Sequence, residues 1–287
     1  MVDLRQFILD KYDGKIGISF TLLSTFSRCP RRKLLELAVD SDLWRQLQNQ
    51  RNFIAGSVVH NAFSAWVEFG FPDDYLTNAE LIGDMFDQYV NKLVTKKHLP
   101  VVWNTTVSKS IRERWGVSTD YDYNKKKAIR ACASLGEIAK SLGLVNDSLF
   151  SEMWLEVDHP FDGRFVLKGA VDILDPVSDF IFDIKVTENT SYGNELQLAF
   201  YGLLVAAVAD KIPSKAAFIY PLGSKVSKPI CPEEKFAYVV KEITEFIIAF
   251  DAMRFPAVVS RDCNYCPVQG WCSAQDGVFD FEESLND

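Results

Sequence analysis

The spacing of apolar and polar positions changes character near residue 150. Upstream of it, apolar residues recur at helical intervals. Within residues 52–69, Ile54, Val58, Phe63 and Val67 follow a period close to 3.6. Residues 19–39 mix turn formers with apolar residues and become helical after Pro30. Residues 79–147 carry further helical stretches, broken by charged runs and without a strong strand signal. Residues 1–150 are therefore predicted to be mostly helical.

From residue 151 the pattern is β-rich. Three short runs, at about 151–158, 164–174 and 179–186, are separated by turns at Pro160–Gly163 and Asp175–Asp179. Such short connections favour an antiparallel meander. Residues 194–210 read as a half-buried helix, and 216–221 as another strand. A helix between strand groups gives an α/β fold, a mixed sheet flanked by helices. Residues 233–253 are predicted as a helix with Phe236, Val239, Val240, Ile243, Phe246, Ile247 and Phe250 on one stripe. The expected organisation is one compact unit: a helical region 1–150 packed on a core 151–255, a cysteine segment 256–275, and a disordered acidic tail 276–287.

Composition narrows the classes. The chain has 287 residues, 48% hydrophobic and 24% charged, which is enough apolar material for a core and excludes disorder. No apolar run approaches the ~18–20 residues that cross a bilayer, so no membrane role is expected. The N-terminus carries acids and no signal-like apolar run, which predicts a cytoplasmic protein, in the host cytoplasm if the source is viral. Net charge is −8, mildly against a nucleic-acid partner. The charge is uneven, however. Asp276–Asp287 holds five acids and no base; without it, 31 basic residues face 34 acidic ones, or −3. Basic residues cluster at Arg28, Arg31, Arg32 and Lys33, and again at Lys125, Lys126, Lys127 and Arg130, so a locally positive groove stays open.

Several residues could carry chemistry. Asp183 and Lys185, two apart at the end of the apolar run Phe180–Phe182, would share one strand face. A carboxylate beside a lysine at a strand end can hold a metal and steer a water. Asp172, between Val171 and Ile173, is costly in a strand unless paired or metal-bound. Antiparallel pairing would bring it close to Asp183, and a divalent cation resolves the repulsion. Gln197 and Tyr201 are four apart on one helix face. His60 follows Gly56 by four, and Gly56 would admit a second backbone. Glu152 and Glu156 alternate with Trp154 on one strand face, and either could reach the carboxylates.

Six cysteines are present, and a non-exported chain keeps them reduced. Cys263, Cys266 and Cys272 have metal-ligand spacing and need a fourth ligand from Cys29, Cys132 or Cys231. Cys29 has the best context, at a helix start among arginines that would stabilise a thiolate. Four thiolates suit zinc or an iron–sulfur cluster, and a lone distant cysteine plus a triplet fits the two-armed zinc pattern poorly.

In order along the chain, Cys29, Gly56-xxx-His60, Gly169-xx-Asp172, Asp183-x-Lys185, Gln197-xxx-Tyr201 and Cys263-x2-Cys266-x5-Cys272 resemble the RecB-like branch of the PD-(D/E)XK nucleases. More narrowly, the chain is similar to CRISPR-associated exonucleases with a four-cysteine cluster and to the nuclease domain of AddB-type helicase–nucleases. Residues 70–150 match nothing. The resemblance implies a restriction-endonuclease-like core and a metal-dependent DNA exonuclease that acts on single-stranded or frayed ends. It implies Mg²⁺ or Mn²⁺ held by His60, Asp172, Asp183 and the carbonyl of Ile184. Lys185 would orient the attacking water, Gln197 and Tyr201 would position Lys185 and the strand, and Glu152 would be the first-strand acid. Cys29, Cys263, Cys266 and Cys272 would hold a [4Fe–4S] cluster. Partners in recombination, repair or CRISPR adaptation are implied. A cross-link from residue 29 to 263 could contribute roughly 5 kcal/mol by the loop-entropy relation used for disulfides. The alternatives are a non-catalytic DNA-binding or scaffold protein that keeps the fold, and a zinc-stapled protein of other function.

Overall fold

In the computed structural model, the structure describes residues 3–39, 51–72, 79–95 and 117–272. The chain divides into two units. One comprises Met1–Gln48, Glu156–Gly169 and Ala237–Asp287; the other comprises Asn49–Leu155 and Ala170–Phe236. The acidic tail 276–287 lies outside the described residues.

In the first unit, helix α1 (Leu4–Lys11) starts at Asp3, whose carboxylate accepts from the Arg5 and Gln6 N–H groups. Strand β1 (Ile16–Ile18) runs parallel to Phe165–Leu167 of strand β3 (Phe165–Asp175). Helices α2 (Phe20–Arg28) and α3 (Pro30–Ala38) meet at a single residue, Cys29. Its extended backbone (φ −155°) breaks the helix, and Pro30 restarts it at the position where a missing N–H costs nothing. Helix α8 (Phe236–Asp251) buries Val239, Ile243, Phe246 and Phe250 at 3- and 4-residue steps. Phe26, Phe165, Phe246, Phe250 and Phe255 pack mostly edge to face, with centroids 5.4–6.5 Å apart. Val240 is not on this stripe. It is 49% exposed, because it directly follows Val239 and adjacent helical residues point about 100° apart.

The second unit is a sheet between helices. Helices α4 (Arg51–Phe69), α5 (Ala79–Thr95) and α6 (Val117–Ser141) share one apolar cluster, which includes Val58, Phe63, Phe86 and Leu135. Lys125 Nζ donates to both oxygens of Asp87 at 2.9 Å, and the Tyr121 hydroxyl donates to the same carboxylate. Strand β4 (Phe180–Ile184) pairs antiparallel with β3, Ile173 opposite Phe182. It pairs parallel with β5 (Lys215–Tyr220), Asp183 opposite Phe218. Helix α7 (Glu195–Ala209) makes the crossover, and the two-residue strand β6 (Lys225–Val226) closes the edge. Ile173, Phe182, Ile184, Ala217 and Ile219 join the cluster of α4–α6. Asp183 and Phe218 therefore face the other way, as the period of two requires. Strand β2 (Phe150–Asp158) pairs with β3. The predicted strands are found within two residues or so of their expected limits; the short β1 and β6 were not foreseen.

Candidate active site

Four elements of the second unit deliver the charged residues. The long helix α4 presents His60. Its Nδ1 lies 2.7 Å from Glu152 Oε1 and 3.5 Å from Asp172 Oδ1, and its Nε2 lies 3.3 Å from the Ile184 carbonyl oxygen. His60, Glu152 and Asp172 offer one ligand atom each, all within 4.8 Å of one another. The tight group contains Glu152, the expected first-strand acid, with His60 and Asp172, and Asp183 lies outside that 4.8 Å set.

Glu152 reaches this point through a backbone device. Its φ is +49°, in the left-handed region that a glutamate adopts at a cost. A residue of that kind in a strand interrupts the alternation and re-aims a side chain. Ser151 is drawn in as well, its hydroxyl 2.9 Å from that of Ser64 on α4. Trp154 stays 61% exposed, and Glu156 is exposed. The regular alternation expected for Glu152, Trp154 and Glu156 does not hold here.

Asp172 and Asp183 each lie one residue beyond the Ile173–Phe182 pair, so the two strands bring them together. Asp172 Oδ2 accepts the Ile184 N–H at 2.7 Å. Burial, then the charge of Asp183, pushes the Asp172 carboxyl up to about 7, against the opposing pull of His60. Burial also raises Asp183, with Lys185 working against it. For His60, burial disfavours the imidazolium, but Asp172, Glu152 and Asp183 outweigh it and carry its pKa up to about 9.

Beside this group lies a second network. Lys185 Nζ is 2.7 Å from Asp183 Oδ2 and donates to Gln197 Oε1 at 2.9 Å. The Gln197 amide uses both its hydrogens, one to Asp183 Oδ1 (2.9 Å) and one to the Tyr201 hydroxyl (3.0 Å). One turn of α7 separates these residues and holds them on one face. Burial, then Asp183 and Asp172, keeps the Tyr201 hydroxyl protonated. The Lys185–Asp183 contact is an ion pair rather than an aligned hydrogen bond, and Asp183 Oδ2 is buried with no hydrogen-bond partner among the described residues. Buried carboxylates that repel one another, one with an unsatisfied oxygen, beside an imidazole, form a donor set suited to a divalent cation.

Two residues of this site were not foreseen. The Phe218 ring lies 5.6 Å from Lys185 Nζ, in cation–π range. Gly193 packs so closely that a Cβ would sit 2.3 Å from Tyr220 Oη and 2.7 Å from Phe218. Strand register could have flagged Phe218, since it pairs with Asp183; nothing in the sequence flagged Gly193. At Gly56 no second backbone comes close among the described residues: a Cβ there meets nothing within 4 Å.

Cys29, Cys263, Cys266 and Cys272 belong to the first unit, Cys132 and Cys231 to the second. Cys29, Cys263 and Cys266 line one small pocket, together with Arg28, Arg32 and Asp262. Burial raises the Cys266 thiol, the Val268 N–H and Arg32 pull it down, and the nearby Cys29 and Cys272 raise it again. Cys263 Sγ accepts the Ser260 N–H at 3.4 Å. Cys132 is buried in α6 and pushed up to about 12 by desolvation, an inert thiol. Three thiols on one pocket wall are a donor set of the kind that thiolate-bound metals require, with two arginines and one aspartate beside them.

A profile of the PD-(D/E)XK nuclease superfamily matches residues 17–273. No curated protein matches the chain. The solved structure titled "Crystal structure of SSO0001" aligns at 14% identity over 94% of this chain and 95% of that one, with a TM-score of 0.38, a likeness too low to add to the assignment.

Proposed function

This chain belongs to the PD-(D/E)XK nuclease superfamily, whose members are metal-dependent nucleases, and from that premise we propose that it is a Mg²⁺- or Mn²⁺-dependent DNA exonuclease acting on single-stranded or frayed ends. The observation that carries this reading is the convergence of His60, Glu152 and Asp172 within 4.8 Å, beside the Asp183–Lys185–Gln197 network. His60, Glu152, Asp172, Asp183 and the Ile184 carbonyl are the groups that would hold the cation.

A divalent cation bound there supplies Lewis acidity for the phosphoryl oxygen and an acidified water. The chain's own residues do the rest. Lys185 places an ammonium where negative charge grows on the scissile phosphate. Gln197 fixes that ammonium from one side while holding Asp183 from the other. The protonated Tyr201 anchors the Gln197 amide. Phe218 backs the ammonium with its ring face. Burial of these groups strengthens each charge interaction and limits reorganisation during the reaction.

Cys29, Cys263, Cys266 and Cys272 hold a [4Fe–4S] cluster in this reading, as a cross-link within the first unit. The gathering of Cys29, Cys263 and Cys266 on one pocket wall supports this reading. The work of such an enzyme lies in recombination, repair or CRISPR adaptation, in the cytoplasm, where partner proteins open the duplex. Digestion of end-labelled linear DNA and of circular DNA, side by side with Mg²⁺ or Mn²⁺, tests this. Loss of the linear substrate with survival of the circle is expected. Cutting of the circle would make the enzyme an endonuclease, and salt-sensitive binding without turnover would leave a DNA-binding scaffold. Absorbance near 400 nm and bound iron in anaerobically purified protein test the cluster, and bound zinc without iron rejects it.

A further inference from the structure

The basic cluster at residues 125–130 lies outside the metal pocket, and helix α6 sorts its members. Lys125 faces α5 and is occupied by Asp87. Lys126, Lys127 and Arg130 follow Tyr123 at three, four and seven residues, so all four share one helix face. Asn124, Ala128, Ala131 and Leu135 are buried on the adjacent face, about 100° round the helix. Tyr123 is 63% exposed, Lys126 and Arg130 are exposed, and Lys127 is half-buried. Two carboxylates touch this stripe. Asp122 is exposed at its start, and Glu188 binds Arg130 at 2.7 Å and also acts on Lys127.

Glu188 is the informative neighbour. It lies three residues beyond Lys185, in the segment that leads from β4 to α7. The stripe therefore meets the loop that leaves the active site. One turn further along α6, the Ser134 hydroxyl is 3.0 Å from that of Ser224, with the exposed Lys225 next in sequence. The Arg130–Glu188 pair is 66% and 70% exposed, so it contributes little to stability and yields readily to a phosphate, which the guanidinium can bind bidentately.

We propose that the face of α6 bearing Tyr123, Lys126, Lys127 and Arg130 is the track along which the substrate strand runs to the active site, with phosphates on the three cations, an unpaired base on Tyr123, and Glu188 as the carboxylate that the strand displaces. Basic side chains following a backbone, with an aromatic ring for stacking, match single-stranded nucleic acid. The proposal rests on the nuclease reading for its substrate, but its test is a binding test.

Wild type and variants bind a fluorescent single-stranded oligonucleotide in EDTA, and anisotropy is read across a salt series. The K126E/K127E/R130E variant is expected to bind about 100-fold more weakly, with a log–log salt slope shallower by roughly 2, since each phosphate contact to a single strand carries ~0.7. Y123A is expected to lose about tenfold on the single strand and little on a blunt duplex. The diagnostic pair is R130Q and E188Q. R130Q weakens binding, whereas E188Q tightens it by a few-fold because a competitor is gone. If both weaken binding alike, the pair is a loop tether and the track is refuted. An unchanged slope in the triple variant refutes it too, as does equal competition by poly-glutamate, which would identify an acidic protein surface as the ligand. A wild type that binds in this way yet never cuts would reject the nuclease reading and leave the track standing.

Discussion

The histidine–carboxylate pocket and the cysteine-lined pocket are built on opposite plans. In the histidine–carboxylate pocket, most side chains ride on regular elements: His60 on a 19-residue helix, Asp172 and Asp183 on paired strands, Gln197 and Tyr201 on one turn of α7, with Glu152 at a left-handed position in β2 as the exception. Nearly every polar atom there has a protein partner, and the buried charges repel one another. At the cysteines, Cys29 stands alone between two helices, and Cys263, Cys266 and Cys272 sit in or beside short 3-10 turns (Arg261–Tyr265, Gln269–Trp271), all half-exposed. The pocket holds its shape by packing and stores electrostatic cost. The cysteine pocket rests on short turns, and an occupant bound by its thiols, as proposed, would fix it. Removing a side chain should therefore affect function at the first site and folding at the second.

The largest expected effect is at the pocket. Asp183→Ala or Lys185→Ala should lower the rate of DNA degradation by about a thousandfold or more, the scale of losing an electrostatic group that acts on the transition state. Asp183→Asn should be as inactive, yet the metal-free protein should melt higher than wild type, because a buried repelling charge has gone. An active Asp183→Ala enzyme, or an Asp183→Asn protein that melts lower, would contradict this account of the site.

At the cysteines the sign reverses. Cys263→Ser or Cys29→Ser should leave the chemistry of the pocket intact but lower the thermal midpoint by roughly 10 °C, if the cross-link contributes about 5 kcal/mol. Iron content and midpoint should fall together. Cys132→Ser and Cys231→Ser should leave iron content unchanged, since both belong to the second unit and the four proposed ligands to the first.

The pH dependence of stability sharpens the contrast. In the metal-free protein, the carboxyl of Asp172 rises from 3.8 to about 7 and His60 from 6.5 to about 9. Both groups bind protons more tightly folded than unfolded, so stability falls as pH rises through these windows. Below 6.5 the protonated His60 contributes fully; that contribution is lost as the pH passes 9. Melting in EDTA should therefore drop steadily from pH 5 to 9. Added Mg²⁺ should raise the midpoint more at pH 8.5 than at pH 6, because the cation competes with those protons. A Mg²⁺ effect independent of pH would separate the cation from this pocket.

How much of this was legible in the sequence depends on the reach of the interactions involved. Strands β2 to β5 could be read because their apolar runs are bounded by turn residues, and Asp172 stood out as an acid between two β-branched neighbours. The grouping of Cys29 with Cys263 and Cys266 followed from thiol context and spacing. The left-handed backbone at Glu152 was not readable, since glutamate carries no signal for that conformation and only the fit around His60 selects it. Val240 was misjudged because α8 is apolar on several sides and periodicity alone cannot rank adjacent positions. Strand β1 has three residues, too few for a period of two to show. Phe218 gains its place beside Lys185 from a parallel pairing across 35 residues of sequence, which no local pattern encodes.

The smallest expected effect concerns Gly56. Its position one turn before His60 invites a functional explanation, but a Cβ there meets nothing within 4 Å among the described residues, and the residue lies inside α4. Glycine in a helix interior costs roughly 0.5–1 kcal/mol relative to alanine through backbone entropy. Gly56→Ala should therefore stabilise the protein by that amount, visible as a higher urea midpoint at unchanged m-value. DNA degradation should match wild type, because His60 keeps its place on the helix. A destabilised or inactive Gly56→Ala variant would mean that something approaches α4 at this point, and it would move Gly56 from the scaffold into the site.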